Sequence, residues 1–208
     1  MEKNNFSFTY RMLRAIGLYY SEEEYGQVTF GFFLGKVYRT YRNAFISRFL
    51  LDAWIMSPIL VRKWNPWLVR RMGAHVGKGV AVGDHVRIDW GHADMIYIED
   101  YVQLTGGCRV LAHKRDLTDY HVGDNAADFG YKVLPVHLCK GCQIGMETMI
   151  MPGVTVGEGA IVGAGSLVSK DIPAWTIAVG RPAKVVREIP RKTPNDNLND
   201  NAYTNYSK

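Results

Sequence analysis

Six histidines are the side chains of this sequence that could transfer protons near neutral pH. One of them, His113, stands at the start of a stretch of 27 residues, 111–137, in which a regular repeat is lost. Long insertions in regular folds usually carry function. A reaction at a hydroxyl group needs a base, because an alcohol is a weak nucleophile at neutral pH. His113 is therefore the first candidate for a general base, and a solvated surface histidine is the alternative.

The composition and the absence of targeting signals limit the class of protein. The chain of 208 residues has 47% apolar residues, enough for a sizeable core in one or two domains. Its three cysteines cannot pair completely, which argues against a disulfide-linked secreted protein. The first twenty residues contain Arg11 and Arg14 and lack the apolar run of a signal peptide, and the longest uncharged apolar runs, 26–35 and 53–61, are shorter than the ~20 residues of a membrane span. We therefore expect a cytoplasmic protein with reduced thiols.

Past residue 75 the sequence repeats with a period of six residues. An aliphatic residue recurs every six positions, and the residue four places after it is small or β-branched in most cases. This period matches neither a helix nor an isolated strand, and it is typical of a solenoid with flat sides of one short strand each. Cys108 and Cys142 fall in the second register, which predicts buried thiols. The aliphatic positions are Val76, Val82, Ile88, Ile98, Leu104, Val110, Leu138, Ile144, Ile150, Val156, Val162 and Val168, and the second register is Val80, Val86, Val102, Cys108, Cys142, Thr148, Val154, Ala160, Ser166 and Ile172.

The N-terminal residues 1–75 lack this repeat and hold the whole positive excess of the chain, with 11 basic and 5 acidic side chains. Residues 76–187 have a net charge of −1, so nucleic acid is not expected as a partner. Apolar residues recur at spacings of three and four between Tyr38 and Ile55, which predicts one or two amphipathic helices. Such a segment either caps the open edge of the first coil or lies on an anionic membrane surface. Residues 190–208 are predicted to form a disordered polar tail.

Two motifs in the repeat point to a known family. They are Ile144-Gly-Met-Glu-Thr-Met-Ile-Met-Pro-Gly153, with the coils that follow it, and the closing Val179-Gly-Arg-Pro-Ala-Lys-Val-Val-Arg187. The chain resembles the hexapeptide-repeat acyltransferases, most of all the maltose, galactoside and polysaccharide O-acetyltransferases. The resemblance implies an all-β fold, a left-handed parallel β-helix (a hexapeptide-repeat solenoid) over residues 76–189 with one long loop at 111–137. It also implies a homotrimer that binds acetyl-CoA between neighbouring subunits.

The resemblance further implies the transfer of an acetyl group from acetyl-CoA to a hydroxyl of a sugar or of a surface-polysaccharide precursor. His113 matches the family's catalytic histidine, which would accept the hydroxyl proton and return it to the thiolate, with no metal involved. Asp89 matches a polar residue that holds the acceptor, where asparagine is common. Asp89 could orient the acceptor or the imidazolium, or be an ordinary acid at a corner. His92 could line the same cleft, with an ordinary corner histidine as the alternative.

The positions that match the family's cofactor site are Ala164, Ser169, Lys170, Lys184 and Arg187. Small residues would let the pantetheine arm lie flat along the coil, while the lysine and arginine of the closing segment would supply positive charge for the nucleotide phosphates. The alternative for these two side chains is a solvated face of a terminal helix. Gln143 stands where the family often has tryptophan, so we expect the wall of the site to differ here.

Three other functions stay open at this point. The acceptor could be the amine of an amino sugar. The solenoid also resembles that of the trimeric γ-class carbonic anhydrases, which hold zinc with three histidines. Two of those histidines lie five residues apart, and no two histidines of this sequence have that spacing. A non-catalytic scaffold would differ from both in not binding acetyl-CoA. The expected location is the cytoplasm, with peripheral contact at the inner membrane face if the N-terminal segment lies on lipid.

Overall fold

Three sheets of parallel strands make up most of the computed structural model, which describes residues 6–17, 25–51 and 61–191. Most strands are two or three residues long. The first sheet contains β1 (His75–Val76), β4 (Ile96–Ile98), β9 (Val136–Leu138) and β12 (Thr155–Val156). The second contains β2 (Ala81–Val82), β5 (Gln103–Leu104), β10 (Gln143–Ile144), β13 (Ile161–Val162) and β15 (Thr176–Gly180), followed by the antiparallel β16 (Ala183–Glu188). The third contains β3 (Arg87–Ile88), β6 (Arg109–Val110), β11 (Met149–Ile150) and β14 (Leu167–Val168).

The chain passes through the three sheets in a fixed cyclic order, and we call one such passage a coil. Successive coils stack, so that Ile144 pairs with Val162 and Ile150 with Val168, each 18 residues apart. Three sides of six residues account for that separation. The six-residue period predicted from the sequence is therefore the length of one side.

The core lies inside the coils and consists of the two predicted registers. Every residue of the second register is buried, and so is every residue of the aliphatic register except Val76, which is partly exposed. Cys108 and Cys142 are buried as predicted, and burial raises the pKa of Cys142 to about 12, so this thiol stays protonated. The cysteines pack as small apolar side chains.

Glycine at some corners is required by the close approach of the next coil. A Cβ atom added at Gly145 would lie 2.4 Å from the backbone nitrogen of Ala164 and 2.7 Å from the carbonyl carbon of Gly163. Backbone atoms at a corner that is hydrogen-bonded to the neighbouring coil cannot move aside as a flexible side chain can. At this position any larger residue therefore forces two coils apart.

Within the described residues, three α-helices of at least eight residues precede the coils: α1 (Phe8–Ala15), α2 (Phe30–Phe45), which continues into a π-helical turn at Ile46–Leu50, and α3 (Trp64–Met72). Ser7 Oγ accepts a hydrogen bond from Tyr10 N and caps α1, and Thr29 Oγ1 accepts one from Phe32 N and caps α2. The predicted helical character of this segment is confirmed for these ranges. Trp54 and Ile55, which the sequence pattern also included, lie outside the described residues.

The helix α3 packs against the first coil. Leu68, Val69 and Met72 are buried in the same core cluster as the inward residues of the coils. Asn65, which is fully buried, donates a hydrogen bond from Nδ2 to the carbonyl oxygen of Val82 at 2.8 Å. The side chain of Asn43 on α2 donates to the carbonyl oxygens of Met72 and Trp90, both at 2.8 Å. These hydrogen bonds from buried side-chain amides attach α2 and α3 to the first coil.

Two segments need separate mention. The 27-residue insertion contains an antiparallel hairpin of β7 (His113–Arg115) and β8 (Tyr131–Val133), so the expectation of a loop is wrong for those residues. The polar tail predicted at 190–208 lies, after its first two residues, outside the described part of the chain. Among the helices that the structure describes, none combines the length and the apolar character of a membrane span.

Replacing Gly145 with alanine is expected to lower the free energy of unfolding by about 1–3 kcal/mol, the usual range for overpacking a core. The matched control is Gly35→Ala on α2, where a Cβ atom would meet nothing within 4 Å. That change should leave stability unchanged or raise it by up to about 1 kcal/mol, because alanine is the better helix former. Urea unfolding followed by circular dichroism measures both variants. Equal stability of the two would contradict the close-approach argument.

Candidate active site

The carboxylate of Asp89 is buried at the corner that follows β3, with 3% of the residue exposed. Its Oδ1 accepts a hydrogen bond from Gly91 N at 3.2 Å, and its Oδ2 accepts one from Ala112 N at 3.1 Å. The Nδ1 atom of His113 is in hydrogen-bonding contact with the same Oδ2. Asp89 therefore connects the corner of one coil to the corner of the next.

The surroundings of Asp89 hold it in the ionised form. Burial by itself would raise the pKa of this carboxyl group, but interactions with His92 and His113 and the hydrogen bond from Ala112 N outweigh it and lower the pKa to about 2. Asp89 is therefore a carboxylate throughout the physiological pH range. A fixed negative charge at this place stabilises a positive charge on a neighbouring imidazole.

His113 is the first residue of β7 and stands where the chain leaves the coils for the insertion. Its side chain is about one-third exposed, at 35%. Because Nδ1 faces a carboxylate, which can only accept hydrogen bonds, Nδ1 carries the proton and Nε2 of the neutral ring is the basic nitrogen. The Tyr131 ring packs against the imidazole in an edge-to-face arrangement, with 5.5 Å between the ring centroids. The imidazole is thus held at Nδ1 and on one side, with Nε2 left to meet a reacting group.

The insertion is stiffened around His113 by Arg115. The guanidinium group of Arg115 lies over the ring of Tyr131 at 4.5 Å from its centroid and donates a hydrogen bond to the Tyr131 hydroxyl at 2.9 Å. It also donates to the carbonyl oxygen of Phe129. These contacts fix the ring that packs against the imidazole. The sequence did not single out Tyr131, because only the hairpin pairing brings it to His113.

His92 is the third member of this cluster. Its Nδ1 atom lies 3.6 Å from Oδ1 of Asp89, which is the distance of an ion pair rather than of a hydrogen bond, and its ring centroid lies 5.0 Å from that of His113. Within the described residues this nitrogen is buried without a hydrogen-bond partner. Of the two predictions for His92, the structure supports the one that places it in the same cleft.

Asp89, His92 and His113 also form a set that could hold a metal ion, since each offers one ligand atom within 4.8 Å of the others. It is the one such set among the residues that the structure describes. Two imidazoles and a carboxylate suit a divalent transition metal. However, both oxygens of Asp89 already accept hydrogen bonds from backbone nitrogens, which leaves fewer lone pairs for a metal.

The predicted cofactor positions lie in the last coils and the closing strand. Ala164 is in the turn between β13 and β14, Ser169 and Lys170 follow β14, and all three are exposed. Lys184 and Arg187 lie on β16, pairing with Val179 and Ile177 of β15, so the alternative of a terminal helix face is wrong. A strand forms here because the chain turns back after β15 and adds an antiparallel edge to the second sheet.

Comparison with known proteins identifies the family. A family model described as bacterial transferase hexapeptide (six repeats) matches residues 135–170. A relative from Escherichia coli K12, which has the provisional name colanic acid biosynthesis acetyltransferase WcaF, is 31% identical over 147 residues, covering 65% of this chain and 80% of the relative. The chain belongs to the bacterial hexapeptide transferase family. The resemblance derived from the sequence motifs is thereby confirmed.

Other known proteins are similar to this chain over different extents. A relative from Staphylococcus aureus Mu50, provisionally named an acetyltransferase, is 49% identical over 72 residues, so this chain spans about a third of its length (36%). The solved structure of a galactoside acetyltransferase in complex with coenzyme A has a similar fold, with a TM-score of 0.53 and 23% identity over 75% of this chain and 83% of that chain. At this identity the likeness concerns the fold alone.

The low pKa of Asp89 predicts a pH-dependent contribution to stability. Because the folded-state pKa of about 2 lies below the ordinary value of 3.8, the carboxylate stabilises the native state above about pH 4, and this contribution is lost as the pH falls through about 2. Asp89→Asn should therefore lower the free energy of unfolding by about 2 kcal/mol at pH 7 and by much less at pH 2. The control is Asp94→Asn, which changes an exposed aspartate in the 3₁₀ turn at Ala93–Met95. If the free energies of unfolding of the wild type and of Asp89→Asn differed by the same amount at pH 7 and at pH 2, this account would be contradicted.

Proposed function

We propose that this protein is an acetyl-CoA-dependent O-acetyltransferase that acts on a hydroxyl group of a sugar or of a surface-polysaccharide precursor. The observation that carries the proposal is the contact of the ionised Asp89 with Nδ1 of His113 at the mouth of the insertion. Membership of the hexapeptide transferase family supports the transfer reaction. The coenzyme A bound to the galactoside acetyltransferase of similar fold supports the choice of co-substrate.

In the proposed reaction, Nε2 of His113 removes the proton from the acceptor hydroxyl as the oxygen attacks the carbonyl carbon of the acetyl thioester. The C–S bond then breaks, the acetyl group stays on the acceptor oxygen, and the imidazolium returns its proton to the coenzyme A thiolate. A backbone N–H stabilises the oxyanion of the tetrahedral intermediate. Asp89 is a positioning residue, because it selects the His113 tautomer and offsets the charge of the imidazolium.

The fold assigned to this function is a left-handed parallel β-helix of residues 76–189, assembled as a homotrimer with acetyl-CoA in the groove between neighbouring subunits. Ala164, Ser169 and Lys170 would contact the pantetheine arm, and Lys184 and Arg187 the nucleotide phosphates. The corner that bears Ser169 is two strands away from the corner of His113 along the third sheet. At ~4.8 Å per strand this is roughly 10 Å, a span that the extended pantetheine arm can cover.

His113→Ala should lower the acetyl-transfer rate by about 10²–10⁴-fold, since only the proton acceptor is removed. Thiol release from acetyl-CoA measures the rate over a panel of free sugars, nucleotide sugars and lipid-linked saccharides. The matched control is His121→Ala, which changes an exposed histidine of the same insertion, with 80% of its side chain accessible. Both variants should sediment as the wild type does.

A chelator arm separates this mechanism from metal catalysis. The activity of the wild type should withstand EDTA, because the proposed proton transfers use no metal. Loss of activity on chelation, restored by zinc, would assign Asp89, His92 and His113 to a metal site instead. Activity of His113→Ala within twofold of the wild type would remove His113 as the base.

The outer face of α2 supports a second part of the proposal, peripheral attachment of this cytoplasmic enzyme to an anionic membrane surface. Six large apolar residues recur at spacings of three and four, which places them on one side of the helix, and each is between 50% and 74% exposed. Residues 25–51 and 61–73 carry eight arginines and lysines and no acidic residue. We call this face the outer stripe; its members are Phe30, Leu34, Tyr38, Tyr41, Phe45 and Phe49.

The basic surroundings of the outer stripe favour anionic lipid over a second copy of the chain. Two copies would bring like charges together, whereas an anionic leaflet contributes ~1 kcal/mol for each nearby lysine or arginine. Aromatic rings are well suited to the depth at which an interfacial helix lies. The same segment can attach α3 to the first coil through Asn43 and still present the outer stripe to lipid, because Asn43 is buried on the other side of α2.

The full chain should therefore co-sediment with vesicles that contain anionic phospholipid at low salt, and much less at high salt. The double variant Phe45→Ser, Phe49→Ser should weaken binding by about tenfold or more, because it removes two large apolar side chains from the lipid contact. Val122→Ser, at a fully exposed valine of the insertion, is the control and should bind as the wild type does. Absence of binding at low salt would overturn the attachment. A changed oligomeric state of the double variant would instead identify a second copy as the occupant of the outer stripe.

A further inference from the structure

Two pockets meet along α2, and one of them reaches the candidate active site. It has a volume of about 520 Å³ and lies where α2, the corner after β3 and the hairpin of the insertion come together, and we call it the corner pocket. Its wall includes Trp90 and His92 from the corner, Thr40 from α2 and Val133 from β8. Because the His92 and His113 ring centroids are 5.0 Å apart, the corner pocket adjoins the proposed base.

The second pocket, of about 180 Å³, lies between α1 and α2, and we call it the helix pocket. Leu13 of α1 and Val28 of the segment before α2 are buried in its wall. The helix pocket is therefore a recess in the helical segment rather than a patch on its surface. The other large apolar side chains of its wall come from α2 and are Phe32, Phe33, Val37 and Tyr41.

The two pockets share part of their walls. Tyr25, Phe32, Lys36 and Thr40 line both of them, so the pockets are adjacent along one side of α2. At that boundary the ammonium group of Lys36 is in hydrogen-bonding contact with the Tyr25 hydroxyl and lies 4.4 Å from the centroid of the Tyr25 ring. Polar groups thus stand between the apolar recess and the pocket that adjoins His113.

The helix pocket also adjoins the outer stripe. Tyr41, which is exposed, belongs to both. Because an α-helix has 3.6 residues per turn, Phe33 and Val37 lie between the side of α2 that bears Asn43 and the side that bears the outer stripe. The outer stripe, the helix pocket and the corner pocket thus follow one another around α2 and end at His92.

The order of these surfaces matches an amphiphilic ligand. Since an apolar cavity of ~150 Å³ binds benzene, the helix pocket can take roughly six to eight carbon atoms rather than a whole lipid tail. The corner pocket has the volume of a small-molecule site, and a sugar ring can stack on its half-exposed Trp90. We propose that the acceptor is a lipid-linked saccharide, with its sugar in the corner pocket and the first part of its apolar chain in the helix pocket.

This inference rests on the proposed function, in which His113 activates the acceptor hydroxyl, and it deepens the substrate assignment. The remainder of the chain would follow the outer stripe into the leaflet. His92 would contact the saccharide through Nε2, since its Nδ1 is buried and faces Asp89. Binding energy from the unreacting chain would then position the hydroxyl group for attack.

The position of the pockets favours the acceptor over the acyl donor as the source of the chain. In the proposed function the cofactor lies along the last coils and the closing strand, from β14 to β16. The corner pocket and α2 lie at the first coil, and β3 is at the opposite end of the third sheet from β14. Three strand spacings separate β3 from β14, roughly 14 Å. A chain in the helix pocket thus approaches His113 from the end of the coils opposite to the cofactor.

The first test measures the binding of alkyl glucosides to the full chain by titration calorimetry, below the concentrations at which they form micelles. Octyl glucoside should bind at least about tenfold more tightly than methyl glucoside, because each methylene group buried in the helix pocket contributes up to about fourfold. Val37→Phe should weaken octyl glucoside binding by about tenfold, because the larger ring fills the helix pocket. The matched control is Val122→Phe, the same exchange at an exposed valine of the insertion.

A second variant tests the size of the helix pocket in the opposite direction. Phe33→Ala enlarges it and should move the chain length at which affinity levels off from about eight to about ten carbons. A variant that was merely misfolded would bind no glucoside better. Equal binding of methyl and octyl glucoside by the wild type would overturn the inference. Octyl glucoside binding that Val37→Phe left unchanged would place the chain on the protein surface and overturn it as well.

The second test compares acceptors that differ in the apolar chain alone. The saccharide that is used best in the acceptor panel is offered with acetyl-CoA as the free sugar, as its hexyl glycoside and in lipid-linked form, and thiol release is measured. The two forms with a chain should have a KM at least about tenfold lower than the free sugar, and Val37→Phe should remove most of that difference whereas Val122→Phe keeps it. A preference for hexanoyl-CoA over acetyl-CoA that Val37→Phe abolished would assign the helix pocket to the acyl donor and overturn the inference.

The outcomes separate this inference from the proposed function. Acetyl transfer with the same KM for the free sugar and for the forms with a chain would overturn the inference and leave acetyl transfer intact. Failure of the proposed function would differ, because acetyl transfer would then be absent for every acceptor even where octyl glucoside binds in the helix pocket.

Discussion

Hydrogen bonding between stacked coils is the constraint on which the rest of this structure depends. Strands of two or three residues make too few contacts to be stable alone, so each is held by the coils on either side, as when Gln143 N donates to Ala160 O and Gln103 N donates to Cys142 O. Stacking requires inward side chains of limited size and backbone that approaches closely at corners such as Gly145. It also superimposes residues about one coil apart in sequence, and the candidate active site uses this property.

The corner between the third and first sheets shows how stacking creates chemistry. Asp89 and His113 are 24 residues apart, and successive coils place them at neighbouring corners, where a buried carboxylate can hold an imidazole. The insertion begins at that point, and its hairpin supplies Tyr131 to the same imidazole. A regular solenoid would have continued with a short turn and a strand. The insertion therefore replaces the short turn at this corner, and its hairpin forms one wall of the site.

The N-terminal helices extend this site beyond the coils. Asn43 and Asn65 attach α2 and α3 to the first coil through buried amide hydrogen bonds, which set the position of the π-helical turn and its Arg48 near the third sheet. One side of the segment thus packs on the first coil, and the other presents the outer stripe. A helical segment that merely covered a sheet edge would not need a row of exposed aromatic side chains.

The sequence by itself determined the inward registers, the burial of Cys108 and Cys142 and the family, because a six-residue side and a short motif are local properties of the chain. It also singled out His113 as the candidate base. It left open whether Asp89 faces the acceptor or the imidazole and whether His92 belongs to the site, since both depend on how one corner lies against the next. For the closing segment, only the alternative of a terminal helix face was wrong, because pairing with β15 makes a strand there. The six-residue pattern does not predict the pairing of Arg87 with Arg109, because they are 22 residues apart, a separation lengthened by the turn at Ala93–Met95. Only the tertiary structure decides such contacts, because inserted turns change the register between coils without changing the local pattern.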